Sequence, residues 1–263
     1  MLRKKVSCDN IMHRVVFCPF KAVIPPPRKP PPNLVKNFTM NGHCVFGQPW
    51  YFDDSAHSAS LHYAASSFNS LLIRDSHENN INPYQDKNKF KPTLKRYLYA
   101  IKGKHVAVVG TEVPWIEAIV LNLGAEKVTT MEYRDLHIEH PRVSVVTPFQ
   151  YASRFLNRKA ETFDTVVSYS SIEHTGLGRY GDPLMPYGDM EAIAQIWCAM
   201  KPGGYLFLAV PMNRNRTKCI LQWNALRWYS YFRMQHLTAN FKVFEEIDTR
   251  DGHNTLYVLQ KLK

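Results

Sequence analysis

The segment HVAVVGTEVPWIEA, residues 105–118, contains a candidate ligand-binding loop. An apolar run ends on Gly110, as in loops that bind nucleotides, but Thr111 and Glu112 follow where a dinucleotide loop would continue towards two further glycines. Glu132 ends the next apolar run, close to the ~20 residues at which a carboxylate accepts hydrogen bonds from ribose hydroxyls. Gly110 and Glu132 together favour a nucleoside ligand over a tight turn alone.

Glu112 restricts which nucleoside this loop can hold. A pyrophosphate resting on the following helix would be repelled by a carboxylate, which disfavours NAD and FAD. S-adenosylmethionine carries an ammonium and a sulfonium against one carboxylate, so an acidic side chain near its methionine end is attractive. The alternative is that Glu112 only helps to cap the helix beginning at Pro114, which would stabilise that helix by ~1 kcal/mol or less.

A second group of chemically capable residues lies in SYSSIEHTGLGRYGDP, residues 168–183. Glu173 and His174 follow an apolar run and precede a glycine-rich loop with Arg179, Tyr180 and Asp182. Methyl transfer mainly requires that the nucleophile and the methyl carbon be held in line, and an oxygen or nitrogen acceptor also needs a base. His174 or Glu173 could supply it. The alternative is a structural pair that fastens the loop.

The composition excludes several other functions. The formal net charge is +11, but residues 1–36 hold eight basic residues against one acidic, so we predict no nucleic-acid groove in the rest. The five cysteines contain no CxxC pair, so we expect neither a disulfide framework nor a metal site, and a reducing compartment fits best. The best N-terminal apolar run, IMHRVVFCPFKAVI, is interrupted by charges and proline, so no membrane span is expected.

The predicted secondary structure around these residues follows a regular pattern from residue 104 onwards. Short apolar strands alternate with amphipathic helices, which predicts a parallel sheet covered on both faces. The predicted strands are HVAVVG, KVTTMEY, VSVVT, FDTVVSYS and YLFLAVP, and the predicted helices are PWIEAIVLNLG, PFQYASRFLNRK and DMEAIAQIWCAMKPGG. A helical segment is expected near LQWNALRWYSYF, with Trp223, Trp228, Tyr229 and Tyr231 either as a lid or buried against the sheet. KVFEEIDTR and TLYVLQKL then form a hairpin that reverses the last strand.

Three regions are predicted. Residues 1–36 form a basic, proline-rich tail, whose PPPRKPPP run is a stiff solvated spacer or, alternatively, a ligand for a partner protein.

Residues 37–103 form a helical extension that packs on the core, with one helix over residues 55–74 capped by Asp54 or Ser55 and another over 92–104. His57, His62 and His77 near the first helix are expected to be surface residues. Residues 104–263 form the α/β domain.

The arrangement resembles the class I S-adenosylmethionine-dependent methyltransferases. The acid ending the second strand, FDTVVSYSSIEH, and MKPGGYLFLAVP with its lysine-proline-glycine-glycine turn carry this resemblance. More narrowly, GTEVPWIEA and SSIEHTGLGRYGDPLMPYGDMEAI resemble a nematode-rich family catalogued as domain of unknown function 268. The chain departs from the methyltransferase pattern in having only Gly110 in its glycine loop and no acid after the third strand. The segment WNALRWYS, residues 223–230, also departs from the narrower family, in which we expect histidine where this chain has Leu226 and glycine where it has Ser230.

The resemblance implies the following site and activity. The expected fold class is α/β, Rossmann-like, with a mostly parallel seven-stranded sheet, a reversed C-terminal hairpin and helices on both faces. The expected cofactor is S-adenosylmethionine, with contacts at Gly110, Thr111, Glu112, Glu132, Tyr133, Phe149, Gln150 and Ser170. Glu173 and His174 are the candidate catalytic residues for transfer to an unidentified acceptor. The alternative function is a non-catalytic relative of the fold that acts as a binding or interaction module. The expected location is cytoplasmic, unless an anchor lies upstream.

Overall fold

A computed structural model describes residues 7–17, 25–54, 60–77, 81, 89–213, 215, 217–248 and 254–262. The helices are α1 (Cys8–Val16), α2 (Val35–Phe38), α3 (Ala65–Ser76), α4 (Phe90–Arg96), α5 (Trp115–Asn122), α6 (Pro148–Leu156), α7 (Gly188–Ala199) and α8 (Tyr231–Leu237). The strands are β1 (Cys44–Phe46), β2 (Leu61–Tyr63), β3 (His105–Val109), β4 (Lys127–Met131), β5 (Leu136–Ile138), β6 (Val143–Val146), β7 (Phe163–Tyr169), β8 (Met200–Pro211), β9 (Cys219–Gln222), β10 (Leu226–Trp228), β11 (Phe241–Asp248) and β12 (Asn254–Lys261). Ser55 and His57, which belong to the helix predicted over residues 55–74, lie outside the described residues.

The central sheet has seven strands in the order β11-β12-β8-β7-β3-β4-β6. The five strands from β8 to β6 in that order are parallel, whereas β12 runs antiparallel to both β8 and β11. The chain leaves β3 towards β4 and β6 on one side and returns to β7 and β8 on the other. The switch point of the sheet therefore lies between β3 and β7, where open α/β sheets bind ligands. The predicted α/β fold with a reversed C-terminal hairpin is confirmed.

The two faces of the sheet are covered by different helices because side chains alternate along a strand. Val106 and Val108 of β3 belong to the core cluster that includes residues of α3, α4 and α5. Ala107 between them belongs to the opposite cluster, which includes residues of α1, α6, α7 and α8. The prediction of helices on both faces is confirmed.

The proline-rich run is packed against the domain in part. Pro26 is buried, and its carbonyl accepts a hydrogen bond from Tyr51 Oη at 2.7 Å. The carbonyl of Pro27 accepts another from Trp223 Nε1 at 2.8 Å. The expectation of a solvated spacer is wrong for this part of the run, because Pro26 is buried and the carbonyls of Pro26 and Pro27 accept hydrogen bonds from side chains of the domain.

Two disulfides correct the expectation that the cysteines stay unpaired. Cys8 is bonded to Cys198 and Cys44 to Cys219, with sequence separations of 190 and 175 residues. Partners so far apart leave no local spacing signal in the sequence. Since disulfides persist in oxidising compartments, the reason for expecting a reducing one no longer holds.

Several short elements differ from the prediction. Leu61–Tyr63, expected within the helix over residues 55–74, is a strand. It pairs in parallel with β5, which the sequence pattern did not indicate. The segment expected to be helical near residue 222 is instead the hairpin of β9 and β10, followed by α8. The lysine-proline-glycine-glycine turn already lies within β8. Runs of three or four apolar residues do not distinguish strand from helix, so long-range pairing decides them.

Candidate functional site

A cleft with a volume of about 420 Å³ opens at the carboxyl ends of β3, β4 and β7. Six of the eight predicted cofactor residues and one of the two predicted catalytic residues line it, namely Gly110, Thr111, Glu112, Glu132, Tyr133, Ser170 and His174. They come together because each follows a parallel strand, and parallel strands deliver their carboxyl ends to one edge.

Gly110 makes the tight turn between β3 and the loop before α5. Its φ is +78°, a conformation that side-chain-bearing residues rarely adopt. A Cβ at this position would also meet the side chain of Ser171, which follows β7. The loop therefore approaches β7 as closely as it does because residue 110 is a glycine.

Glu132 lies at the floor of the cleft with its carboxylate held by two backbone amides. Its Oε2 accepts from the amide of Thr111 at 2.8 Å, and its Oε1 accepts from the amide of Arg134 at 3.1 Å. The carboxylate thus connects the loops that follow β3 and β4. It is fixed in position before any ligand binds.

A second carboxylate, Glu117 on α5, lies beneath the same loop and was not predicted. It is fully buried, and its Oε1 accepts from Thr111 Oγ1 at 2.7 Å and from Thr130 Oγ1 at 2.8 Å. Burial raises the pKa of Glu117 to about 7, although the two hydroxyl donors oppose the shift. In the sequence, Glu117 is a single glutamate in the first turn of a predicted helix, where acidic residues are common at the surface. The sequence therefore gives no signal that this carboxylate is buried.

Glu112 lines the cleft, but it does not stand alone there as the sequence suggested. Its side chain is 80% exposed and its Oε1 lies 3.4 Å from Nη1 of Arg134, which also lines the cleft. The backbone carbonyl of Glu112 accepts from Tyr63 Oη at 2.8 Å, so the N-terminal extension fastens this loop. The cleft mouth therefore presents an ion pair and not a single negative charge.

His174 lies in a one-turn 3-10 helix, Ile172–His174, at the edge of the cleft. Its Nδ1 lies 2.6 Å from the carbonyl oxygen of Ala225. A carbonyl only accepts, so Nδ1 carries the proton and Nε2 is left as a proton acceptor in the neutral ring.

Glu173 is fully buried and does not line the cleft. Its position therefore does not bring it into contact with a ligand in the cleft. Its Oε1 accepts from Ser170 Oγ at 2.7 Å and lies 3.6 Å from Nε2 of His174. Burial raises the pKa of Glu173, although the neighbouring His174 and the Ser170 hydroxyl oppose the shift. Within the 3-10 turn Glu173 is buried, whereas His174 lines the cleft. The sequence could not reveal this difference, because the two residues are neighbours in the chain.

Phe149 and Gln150, which the sequence predicts as cofactor contacts, are not among the residues that line the cleft. Phe149 is 53% exposed. Gln150 closes a capping box with Thr147, because its Oε1 accepts from the Thr147 amide at 2.9 Å while its own amide donates to Thr147 Oγ1 at 3.1 Å. The helix orientation brings Pro148 and Tyr151 to the cleft in their place.

Aromatic rings form much of the wall. Trp115 packs edge to face on Tyr169 with ring centroids 5.2 Å apart, and both line the cleft. The guanidinium of Arg134 lies 5.6 Å from the ring centroid of Tyr180, which also lines the cleft. The aromatic residues expected either as a lid or in the core, Trp223, Trp228, Tyr229 and Tyr231, do not line it.

Within the described residues, none of the helices combines the length and apolar character that crossing a membrane requires.

A family model described as "Caenorhabditis protein of unknown function, DUF268" matches residues 103–260. No curated protein matches the chain in sequence. Among solved structures, the Burkholderia thailandensis 1,6-didemethyltoxoflavin-N1-methyltransferase with bound 1,6-didemethyltoxoflavin and S-adenosylhomocysteine matches with a TM-score of 0.50 and 14% identity, covering 76% of this chain and 91% of the other.

Two further solved structures are similar at lower scores. The N-methyltransferase NodS from Bradyrhizobium japonicum WM9 with S-adenosylhomocysteine has a TM-score of 0.44 and 14% identity, covering 75% and 98% of the two chains. An S-adenosylmethionine-dependent methyltransferase from Aquifex aeolicus has a TM-score of 0.42 and 13% identity, covering 76% and 100%. The fold is that of Rossmann-like methyltransferases, as the match to the Burkholderia thailandensis enzyme indicates, and at 14% identity that similarity concerns the fold alone.

Proposed function

Since the chain belongs to the family described as Caenorhabditis protein of unknown function, DUF268, and has a methyltransferase-like fold, we propose that its cleft binds S-adenosylmethionine and that the protein transfers the methyl group to an acceptor. The observation that carries this proposal is the placement of Gly110, Glu132 and His174 around one cleft at the switch point of the sheet.

Glu132 supports a nucleoside ligand. A carboxylate offers about four lone-pair sites, and the amides of Thr111 and Arg134 occupy two. The remaining two can accept from the two ribose hydroxyls. Because the carboxylate is already held by backbone donors, little conformational freedom is lost when the ribose binds.

The ion pair of Glu112 and Arg134 supports a ligand that carries both charges. The methionine end of S-adenosylmethionine has an ammonium and a carboxylate, which complement Glu112 and Arg134 respectively. A pyrophosphate would find one attractive and one repulsive group at the same place. The charge pattern therefore favours the sulfonium nucleoside over dinucleotides.

His174 is the group that we assign to proton transfer. In the transfer, the bond between the methyl carbon and the sulfonium breaks while a bond to the acceptor oxygen or nitrogen forms, and S-adenosylhomocysteine leaves. The acceptor proton moves to Nε2 of His174, which is free to accept it because Nδ1 donates to Ala225. Glu173 Oε1 lies 3.6 Å from Nε2 and stabilises the resulting imidazolium. Glu173 is thus a positioning residue in this proposal.

A calorimetric titration with S-adenosylmethionine and with S-adenosylhomocysteine tests the cofactor assignment. We expect both ligands to bind the wild type and Glu132→Ala to lower both affinities about 10- to 100-fold, since hydrogen bonds to a charged group are lost. Glu126→Ala is the matched control, because Glu126 is an exposed glutamate at the opposite end of β4. It should bind as the wild type does.

The same titration separates the proposal from the alternative. If a folded wild-type sample gives no heat with either ligand, the cofactor assignment is wrong, and the result supports the alternative of a binding or interaction module. If both ligands bind equally well to Glu132→Ala, the cleft is occupied in another way than proposed.

A further inference from the structure

Two histidines and a glutamate form a cluster outside the cleft, on the small sheet of β2 and β5. The side chains are those of His62, His137 and Glu139, and one potential ligand atom from each lies within 4.8 Å of the others. Since all three residues are exposed, an ion could reach them directly from solvent. Imidazole and carboxylate are the ligands that catalytic and surface zinc sites use.

The backbone holds the cluster in register. His62 of β2 is the direct partner of His137 of β5 in the parallel ladder, which places the two imidazoles side by side with ring centroids 5.0 Å apart. Glu139 follows β5, and its Oε1 lies 2.8 Å from His62 Nε2. Two residues on paired strands and one just beyond them are a more rigid arrangement than the same residues on a loop.

Glu139 is oriented for this role by a further contact. Its Oε2 accepts from the amide of Ala65, the first residue of α3, at 3.0 Å. A carboxylate whose second oxygen is hydrogen-bonded presents the first oxygen in a fixed direction, as outer contacts do for metal ligands. The simpler alternative is that Glu139 only caps α3 and pairs with His62. That alternative leaves the register-paired second imidazole of His137 without a role.

We propose that His62, His137 and Glu139 bind a zinc ion or a similar divalent transition metal, with water in the fourth position. In a tetrahedral zinc site the ligand atoms are about 3.3 Å apart, as bonds of about 2.0–2.2 Å require. The observed separations bracket this value, since His62 Nε2 and Glu139 Oε1 are 2.8 Å apart and the three ligand atoms all lie within 4.8 Å of one another. The His62 side chain is 53% exposed, which leaves its imidazole room to adjust. The metal replaces the proton that His62 Nε2 shares with Glu139, and that proton moves to Nδ1 or to solvent.

The proposed site would link the N-terminal extension to the α/β domain. His62 belongs to the extension, whereas His137 and Glu139 belong to the segment between β4 and β6. The next residue after His62 is Tyr63, whose hydroxyl fastens the cleft loop at Glu112. A bound metal therefore stabilises the docking of the strand that supports the cleft, and this effect does not depend on what the cleft binds.

The test is a calorimetric titration of tag-free, metal-free protein with zinc chloride, together with the absorption spectrum of the cobalt-loaded protein. We expect the wild type to bind one zinc at this site, to give the visible bands of four-coordinate cobalt, and to unfold at a higher temperature with zinc. His137→Ala should lower the zinc affinity more than about 10-fold and remove the cobalt bands.

Two variants keep the result interpretable. Glu139→Gln retains an oxygen that accepts from the Ala65 amide, so the variant should stay folded. Because the variant loses the carboxylate charge, it should bind zinc more weakly than the wild type does. His77→Ala removes an exposed histidine at the end of α3 that is outside the cluster, and it should bind zinc as the wild type does. The proposal is wrong if folded wild type binds no zinc, or if His137→Ala and Glu139→Gln bind zinc as tightly as His77→Ala does.

Discussion

At the scale of single residues, Gly110 determines how closely the cleft loop approaches β7. The position combines a φ of +78° with a close neighbour, Ser171, whose Oγ would clash with an added Cβ. This clash forces backbone movement, because Ser171 Cβ is itself only 2.5 Å away. The same loop carries the Thr111 amide that holds Glu132, so the displacement would reach the carboxylate assigned to the ribose.

We therefore predict that Gly110→Ala lowers the free energy of unfolding by about 2–4 kcal/mol and weakens S-adenosylmethionine binding. Gly103→Ala is the matched control, since Gly103 also has a positive φ, +67°, but nothing lies within 4 Å of its Cβ. It should cost about 1 kcal/mol and leave binding unchanged. Chemical denaturation and calorimetry measure both quantities. Equal losses in the two variants would show that the approach to Ser171 does not matter.

At the scale of elements, a buried charge network joins α7 and α8 to the turn that carries His174. Asp189, at the start of α7, lies 2.6 Å from Arg233 Nη2 and accepts from Tyr229 Oη at 3.0 Å. Arg227 lies 3.8 Å from the same carboxylate and donates to the carbonyls of Thr175 at 2.6 Å and Glu173 at 3.2 Å. The carboxylate thus holds two arginines, and one of them holds the backbone on both sides of His174.

We predict that Asp189→Asn destabilises the protein by about 3–5 kcal/mol, because two buried guanidinium groups lose their counter-charge. Glu191→Gln, on the same helix but in an exposed pair with Arg14, should change stability by less than about 1 kcal/mol. Urea unfolding of the two variants measures the difference. Similar losses would mean that the network contributes no more than a surface pair.

The same network has a defined pH dependence. Burial alone would raise the pKa of Asp189, but the charges of Arg233 and Arg227 outweigh it and hold the pKa at about 2. A carboxyl whose folded pKa is below its unfolded value stabilises the protein above the unfolded pKa and loses that contribution as the pH falls. The contribution of Asp189 is therefore complete at neutral pH and is lost only between the ordinary pKa of 3.8 and about 2.

At the scale of the whole molecule, two disulfides connect N-terminal segments to the α/β domain. Cys8 joins α1 to α7, and Cys44 joins β1 to β9, its partner in a parallel pair. Both bonds close very long loops, so in the chain-entropy view they restrict the unfolded state strongly. The N-terminal region therefore depends on oxidation for part of its attachment.

We predict that the purified oxidised protein contains one free thiol, since two disulfides use four of the five cysteines. Reduction should lower the free energy of unfolding by about 3–5 kcal/mol per bond. Thiol titration under denaturing conditions, before and after reduction, measures the first quantity, and unfolding with and without reductant measures the second. Five free thiols in protein purified without reductant would contradict the pairing.

The α/β domain was predictable because its signals are local and repeated. The strands β3, β4, β6, β7, β8 and β12 are short runs rich in apolar or β-branched residues, and β11 mixes apolar and charged residues. Helix signals such as Pro114, which directly precedes α5, lie next to the strands. Once the order of strands and helices is fixed, the rules for parallel sheets place Gly110, Glu132, Ser170 and His174 at one edge. That part of the candidate site follows from the sequence alone.

The tertiary structure decided everything that depends on partners distant in the chain. The disulfides, the pairing of β2 with β5, the ion pair of Arg134 with Glu112 and the burial of Glu173 all join segments or orientations that no spacing rule connects. The physical reason is that local pattern fixes which face of an element is apolar, whereas the direction of a single polar side chain depends on what the fold packs beside it. The sequence therefore determined where the cleft lies, and only the folded chain determined which charges face it.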